Sequence, residues 1–157
     1  TNLPAAMAVE YLRELCQEDK FATDGMEIAG TKVHLSDVNV PICAIACDTD
    51  HIAAWKSCYR GVQQMGSEDK TFILSEAGHI AGIVNPPSKN KYGHYTNIDL
   101  GLLPEDWLVA ADKHAGSWWP RWGNWLHGQR DGMQPARNPD AGLSAVLGDA
   151  PGTYVVS

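Results

Sequence analysis

The sequence predicts an α/β protein in which parallel strands are joined by a crossover helix, within a sheet that is incomplete on its own. Three observations lead there. Val40-Pro41-Ile42-Cys43-Ala44-Ile45-Ala46-Cys47 is a short apolar run closed by Asp48-Thr49-Asp50, the pattern of a strand apolar on both faces. Lys70-Thr71-Phe72-Ile73-Leu74 is a second short strand, and a helical stretch separates the two. Strand, helix and strand over this length form a βαβ unit, with parallel strands and a right-handed crossover. Two parallel strands are a thin slice of a sheet, which ordinarily has about five or six. The first of them would carry a bare edge.

The remaining elements follow in chain order. Residues 5–18 predict an amphipathic helix, because Ala8, Tyr11, Leu12 and Leu15 recur at helical spacing and Pro4 stands where a first-turn proline is tolerated. Thr31-Lys32-Val33-His34-Leu35 alternates as a short hairpin or edge strand does. The crossover helix covers residues 53–65, with Cys58, Tyr59, Val62 and Met65 on one side and Gly66 placed to end it. Residues 85–95 read as loop, marked by Asn85-Pro86-Pro87 and Lys89-Asn90-Lys91-Tyr92-Gly93. Pro104 opens a helix carrying Trp107, Leu108 and Ala111, with Gly116 as its stop. Pro120 begins a last helix with Trp122, Trp125 and Leu126, closed by Gly128. The expected division is a body over residues 1–128 and a Gly- and Pro-rich tail over 129–157, either mobile or lying on the body as a strap.

Composition narrows the classes of function. Of 157 residues, 44% are apolar and 20% charged, the balance of a globular chain. Lys and Arg number 12 against 19 Asp and Glu, and a net charge of −7 argues against a protein that tracks nucleic-acid phosphates. No apolar run approaches the ~20 residues of a transmembrane helix. Thr1-Asn2-Leu3-Pro4 has neither initiator Met nor basic leader, so a longer parent is expected. Cys16, Cys43, Cys47 and Cys58 match neither a CxxC nor a zinc pattern. Reduced thiols are the favoured reading, with disulfides left open.

The chemistry concentrates at two positions. Asp50 lies just past the end of the first strand, and His79 just past the end of the second. Open α/β sheets gather their sites outside the carboxyl ends of strands. An acid after one strand and a His after the next is the chain order of the α/β-hydrolase triad, in which the nucleophile comes earlier. A base His needs a carboxylate on its second nitrogen to fix its tautomer and to stabilise the imidazolium. The structural alternative is that both are ordinary polar loop residues. Asp48 competes for the acid role, and His51 is adjacent. His34, His94, His114 and His127 form no metal-ligand spacing and read as surface or packing residues. No G-x-S-x-G or G-x-C-x-G elbow occurs, and Ser67, Ser117 and Ser144 lie in other contexts. Trp107, Trp118, Trp119, Trp122 and Trp125 form a second constellation. Aromatic burial against the sheet accounts for most of it, and a surface for an apolar polymer or partner is the functional alternative.

Several segments resemble one family. Asp50-His51-Ile52-Ala53-Ala54-Trp55 resembles the acid motif of polyhydroxyalkanoate synthases, except that Ala54 stands where the family tends to have Pro. Gly78-His79-Ile80-Ala81-Gly82-Ile83-Val84-Asn85-Pro86-Pro87, followed by Lys89-Asn90-Lys91, is similar to their histidine motif. Gly116-Ser117-Trp118-Trp119-Pro120-Arg121-Trp122 resembles the C-terminal block of the short-monomer, or class I, synthases. Thr1-Asn2-Leu3-Pro4 and Tyr11-Leu12-Arg13 resemble the stretch that precedes the acid strand. The resemblance implies the C-terminal portion of an α/β-hydrolase fold. It further implies polymerisation of (R)-3-hydroxyacyl-CoA into polyester through an acylated cysteine that lies upstream in the family and is absent here. His79 matches the base and Asp50 the acid. The implied partners are the 3-hydroxyacyl-CoA substrate, the growing polyester chain and, in the parent enzyme, a second subunit of a homodimer. No metal or redox cofactor is implied, and the implied location is the cytoplasm, at the surface of polyester granules.

Three readings compete. The chain is part of a polyester synthase that supplies the Asp and His but not the Cys. Alternatively, it is a non-catalytic, synthase-like binding module associated with polymer granules or with a full synthase. The third is a standalone hydrolase using Cys47 or Ser75, which is disfavoured because neither sits in a strand-to-helix elbow.

Overall fold

The structure, a computed structural model, describes residues 2–138, 141–142 and 147–156. Thr1 and Ser144 lie outside the described residues. The chain opens with α1, Ala5–Glu10, which runs on into a π-helical segment, Tyr11–Gln17. The predicted helix is therefore present, but its second half is wider. The Glu18 N–H donates to the Arg13 carbonyl at 2.9 Å, a five-residue step. No residue of α1 is buried, and Tyr11 and Leu12 stand in solvent. The apolar stripe that predicted this helix meets no core among the described residues. A hairpin follows as expected, with β1 (Met26–Ile28) antiparallel to β2 (Thr31–Val33).

The βαβ unit is formed by β3 (Ile42–Cys47), α2 (Trp55–Gln64) and β4 (Lys70–Ser75). β3 and β4 pair in parallel from Ile42 opposite Lys70 to Cys47 opposite Ser75, so both strands finish at one level. β3 is an edge strand and only half-buried from Ile42 to Ile45, whereas β4 is buried from Phe72 to Ser75. Full burial of β3 on both faces is thus not observed, because nothing described flanks its outer edge.

Two further strands were not foreseen. β5 (His94–Thr96) pairs antiparallel with β4, and β6 (Asp112–His114) pairs antiparallel with β5, giving the order β3-β4-β5-β6. Part of the predicted 85–95 loop is therefore strand. The helix opened by Pro104 is also shorter than expected: α3 spans Pro104–Val109, and Gly116, at φ +77°, turns the chain from β6 into α4. Asp112-Lys113-His114 has little intrinsic strand preference, so its conformation is imposed by its neighbours. The last helix, α4, is Trp119–Gly128, close to the predicted bounds. In the tail the described residues carry a 3-10 turn at Tyr154–Val156.

The core lies where α2 and α3 cover one face of β3 and β4. Ala46, Trp55, Tyr59, Val62, Phe72, Leu74 and Trp107 form one buried cluster. Tyr59 meets Phe72 edge-on at 5.2 Å, and Phe72 meets Trp107 edge-on at 5.3 Å. Such pairs contribute about 0.5–1.5 kcal/mol each beyond area burial. Trp107 also donates its indole N–H to the Asn97 carbonyl at 3.3 Å, and the Asn97 amide donates back to the Trp107 carbonyl at 3.2 Å. Gly66 follows α2 for a reason other than a left-handed cap. A Cβ there would overlap the Ser36 carbonyl and lie 2.6 Å from Asn39 Oδ1.

Candidate active site

The equal ends of β3 and β4 place their following loops side by side. The Asp48 N–H donates to the Ser75 carbonyl at 2.9 Å, and the Thr49 N–H donates to the Ala77 carbonyl at 3.3 Å. These bonds join the two loops before either reaches its polar residue. Asp50 and His79 then meet, with Asp50 Oδ2 2.8 Å from His79 Nδ1. The second carboxylate oxygen, Oδ1, accepts from the Ile52 N–H at 2.8 Å and the Ala53 N–H at 2.9 Å. The Asp50 side chain is 6% exposed and that of His79 is 46% exposed.

The electrostatics follow from those bonds. The Ala53 N–H, with smaller contributions from His79 and the Ile52 N–H, holds the Asp50 carboxyl at about 2 against the opposing effect of burial. Asp50 is therefore ionised at neutral pH. An ionised carboxylate at Nδ1 selects the tautomer that carries its proton there, which leaves Nε2 as the basic nitrogen. Nε2 has no hydrogen-bond partner among the described residues.

The competing residues are placed differently. Asp48 makes no hydrogen bond or ion pair with His79. Its Oδ1 is buried without a partner, and burial, followed by the charge of Glu76, raises its pKa. The two residues named for a standalone nucleophile are both enclosed. Cys47 is buried, and desolvation ahead of the nearby Asp50 and Asp48 charges pushes its thiol up to about 11. Ser75 is fully buried, and its hydroxyl donates to the Gly82 carbonyl at 2.9 Å. Neither makes a hydrogen bond to His79. All four cysteines are unpaired.

The loop that carries His79 is held by residues whose part was not foreseen. Ala77 adopts φ +74°, a left-handed conformation uncommon for a residue with a Cβ. At Gly82 a Cβ would lie 2.5 Å from Cys47 Sγ and 2.8 Å from the Glu76 carbonyl, so only glycine fits. The indole N–H of Trp118 donates to the Gly82 carbonyl at 2.9 Å, and that of Trp119 to the Ile83 carbonyl at 2.9 Å. Glu76, at the root of the loop, accepts from Lys113 at 2.6 Å and from the Gly93 N–H at 2.6 Å. Lys113 is the larger cause of its lowered pKa.

The other histidines are structural in placement. His94 is buried and stacks on His114 at 5.0 Å, donating through Nδ1 to the Gly116 carbonyl at 3.0 Å. Burial keeps its pKa below the ordinary value. His34 is partly buried, and His127 is exposed.

Two parallel strands thus end side by side with an acid and a histidine in contact. No family model matches the chain. Curated proteins do. The poly(3-hydroxyalkanoate) polymerase subunit PhaC of Rhizobium meliloti is 40% identical over 155 residues, covering 99% of this chain and 25% of that protein. The subunit PhaC of Cupriavidus necator is 37% identical over 158 residues, covering 99% and 26%. The poly(3-hydroxyalkanoate) polymerase of Methylorubrum extorquens is 40% identical over 156 residues, again covering 99% and 26%. Over nearly its whole length the chain is similar to a C-terminal fragment of each of these poly(3-hydroxyalkanoate) polymerases. It spans about a quarter of the length of these relatives.

Proposed function

We propose that this chain supplies the acid and the base of a polyester synthase that polymerises (R)-3-hydroxyacyl-CoA. The observation that carries this reading is the 2.8 Å contact between Asp50 and His79. In this reading, His79 Nε2 removes the proton from a cysteine thiol supplied outside these residues. The thiolate attacks the substrate thioester, CoA leaves as its thiol after taking up a proton, and an acyl-enzyme remains. The 3-hydroxyl of another acyl unit then attacks that thioester while His79 takes the hydroxyl proton, forming the ester and releasing the cysteine. Asp50 stays ionised throughout and stabilises the imidazolium.

The mixed sheet is then the C-terminal portion of an α/β-hydrolase fold, with a body over residues 1–128 and a tail over 129–157. The chemistry calls for no metal or redox cofactor. The expected setting is the cytoplasmic surface of a polyester granule, in a homodimeric parent. The exposed Trp119, Trp122 and Leu126 on α4 favour a second reading, a non-catalytic module that contacts polymer or a full synthase through that stripe.

Two substitutions in the full chain as the cell makes it separate these readings. His79→Ala should lower CoA release from 3-hydroxyacyl-CoA by about 10³–10⁴-fold, and Asp50→Asn by a comparable factor, with the fold retained. Undiminished CoA release in His79→Ala would sink the synthase reading and leave the binding module.

A further inference from the structure

We propose that Trp118 and Trp119 are positioning residues for His79, acting through their indole N–H groups on the carbonyls of Gly82 and Ile83. This inference rests on the reading of His79 as the base. The loop after β4 has a left-handed residue at Ala77 and no regular strand or helix to hold it until the 3-10 turn at Pro87–Lys89. Its shape therefore depends on groups outside it. Three side-chain donors provide this on two consecutive carbonyls. The Gly82 carbonyl accepts from Ser75 Oγ at 2.9 Å and from the Trp118 indole at 2.9 Å, which uses both of its lone pairs. The Ile83 carbonyl accepts from the Trp119 indole at 2.9 Å. Two adjacent peptide planes with fixed carbonyl directions leave the segment little freedom to rotate.

The hold reaches His79 within one turn. The Gly82 N–H donates to the Gly78 carbonyl at 2.9 Å, and the Val84 N–H donates to the Ile80 carbonyl at 2.8 Å. These two bonds bracket His79, so displacing Gly82 and Ile83 displaces the residues on either side of it. A Cβ at Gly82 would lie 2.5 Å from Cys47 Sγ, so the same turn approaches closely the end of β3, the strand that leads to Asp50. The indoles thus fix the base while the β3 loop fixes the acid.

Aromatic burial alone does not require the nitrogen. Phe keeps most of the ring and loses the donor, leaving the Gly82 carbonyl with one bond and the Ile83 carbonyl with none. Trp119 is 36% exposed, so its substitution disturbs little of the core. Trp122 is the control: its ring lies 6.0 Å from that of Trp118, but it makes no bond to the loop.

The test uses Trp118→Phe, Trp119→Phe and Trp122→Phe in the full chain as the cell makes it. Two readouts apply: steady-state CoA release, and the low-field proton resonance of the His79 Nδ1–H. Trp118→Phe and Trp119→Phe should each lower kcat about tenfold with KM within about twofold, since a misplaced group slows the chemical step more than it weakens binding. Both should shift or broaden the His79 resonance, and Trp122→Phe should do neither. If Trp118→Phe fails to fold, Trp119→Phe decides alone. An unchanged kcat and an unchanged His79 resonance in Trp119→Phe would overturn the proposal. If the unaltered protein turns over no hydroxyacyl thioester, the synthase reading fails, and the His79 resonance alone decides whether the indoles position the imidazole.

Discussion

At the residue scale, Asp50 shows how a loop can fix the charge of an acid without a cation. Two backbone N–H groups and one imidazole surround its carboxylate, and the Ala53 N–H contributes most to holding it at about 2. The folded value lies below the ordinary 3.8, so the unfolded chain binds the proton more readily. The stabilisation from this carboxylate is then present above about pH 4 and is lost as the pH falls towards 2. Asp50→Asn should be less stable than the unaltered protein at pH 7, and the gap should narrow at pH 3, read as urea midpoints at the two values. A gap of the same size at both would mean that the carboxylate charge contributes nothing. Asp50 and His79 could be picked from the sequence because each follows a strand that ends in a change of polarity. The support from Trp118 and Trp119 could not, since nothing in a pair of adjacent tryptophans says which carbonyls they will reach.

At the element scale, the stretch from β3 to β4 was legible because its signals agree. An apolar run, a helical stripe and a second apolar run all specify one βαβ unit. β5 and β6 were hidden for the opposite reason: each is three residues long, and Asp112-Lys113-His114 is polar throughout. Pairing to β4 and then to each other makes them strands, and that information lies in the partner. The π-helical segment Tyr11–Gln17 was equally invisible, because its residues satisfy an α-helical stripe. The start of α2 offers a sharper test. Ala54 caps it at φ −55°, within the range that proline fixes, and its N–H makes no hydrogen bond among the described residues. Ala54→Pro should therefore stabilise the protein by about 0.4–1 kcal/mol through the unfolded state. Thermal denaturation would show a raised midpoint, and a lowered one would mean that the Asp50–Ala53 turn rejects the ring.

At the scale of the whole molecule, the aromatic cluster is what joins the pieces. Trp107 comes from α3, Trp55 and Tyr59 from α2, and Phe72 from β4, and their rings meet at 5.2–6.4 Å. Trp107 has no exposed surface, so Trp107→Ala should cost about 3–5 kcal/mol in guanidinium denaturation. A loss below about 1 kcal/mol would show that α3 is not anchored there. The sequence led to the α/β class and to the parallel pairing of β3 with β4, whereas the sheet is mixed because β5 and β6 add antiparallel. It did not lead to the exposure of the α1 stripe, because a periodic apolar pattern specifies that a face will be covered without specifying by what.

The two indole bonds also set an order of assembly. They join positions 36 residues apart, whereas the acid and base are 29 apart. The contact between Asp50 and His79 can close once β4 has added to β3, but the His79 loop gains the hold of the two indoles only when α4 docks. Closing the longer loop adds little entropy, so timing rather than stability separates the two events. During synthesis from the N-terminus, any product halted before Trp118 carries both polar residues but has no indole to hold the Gly82 and Ile83 carbonyls. Its imidazole would sit on a turn that lacks both indole bonds.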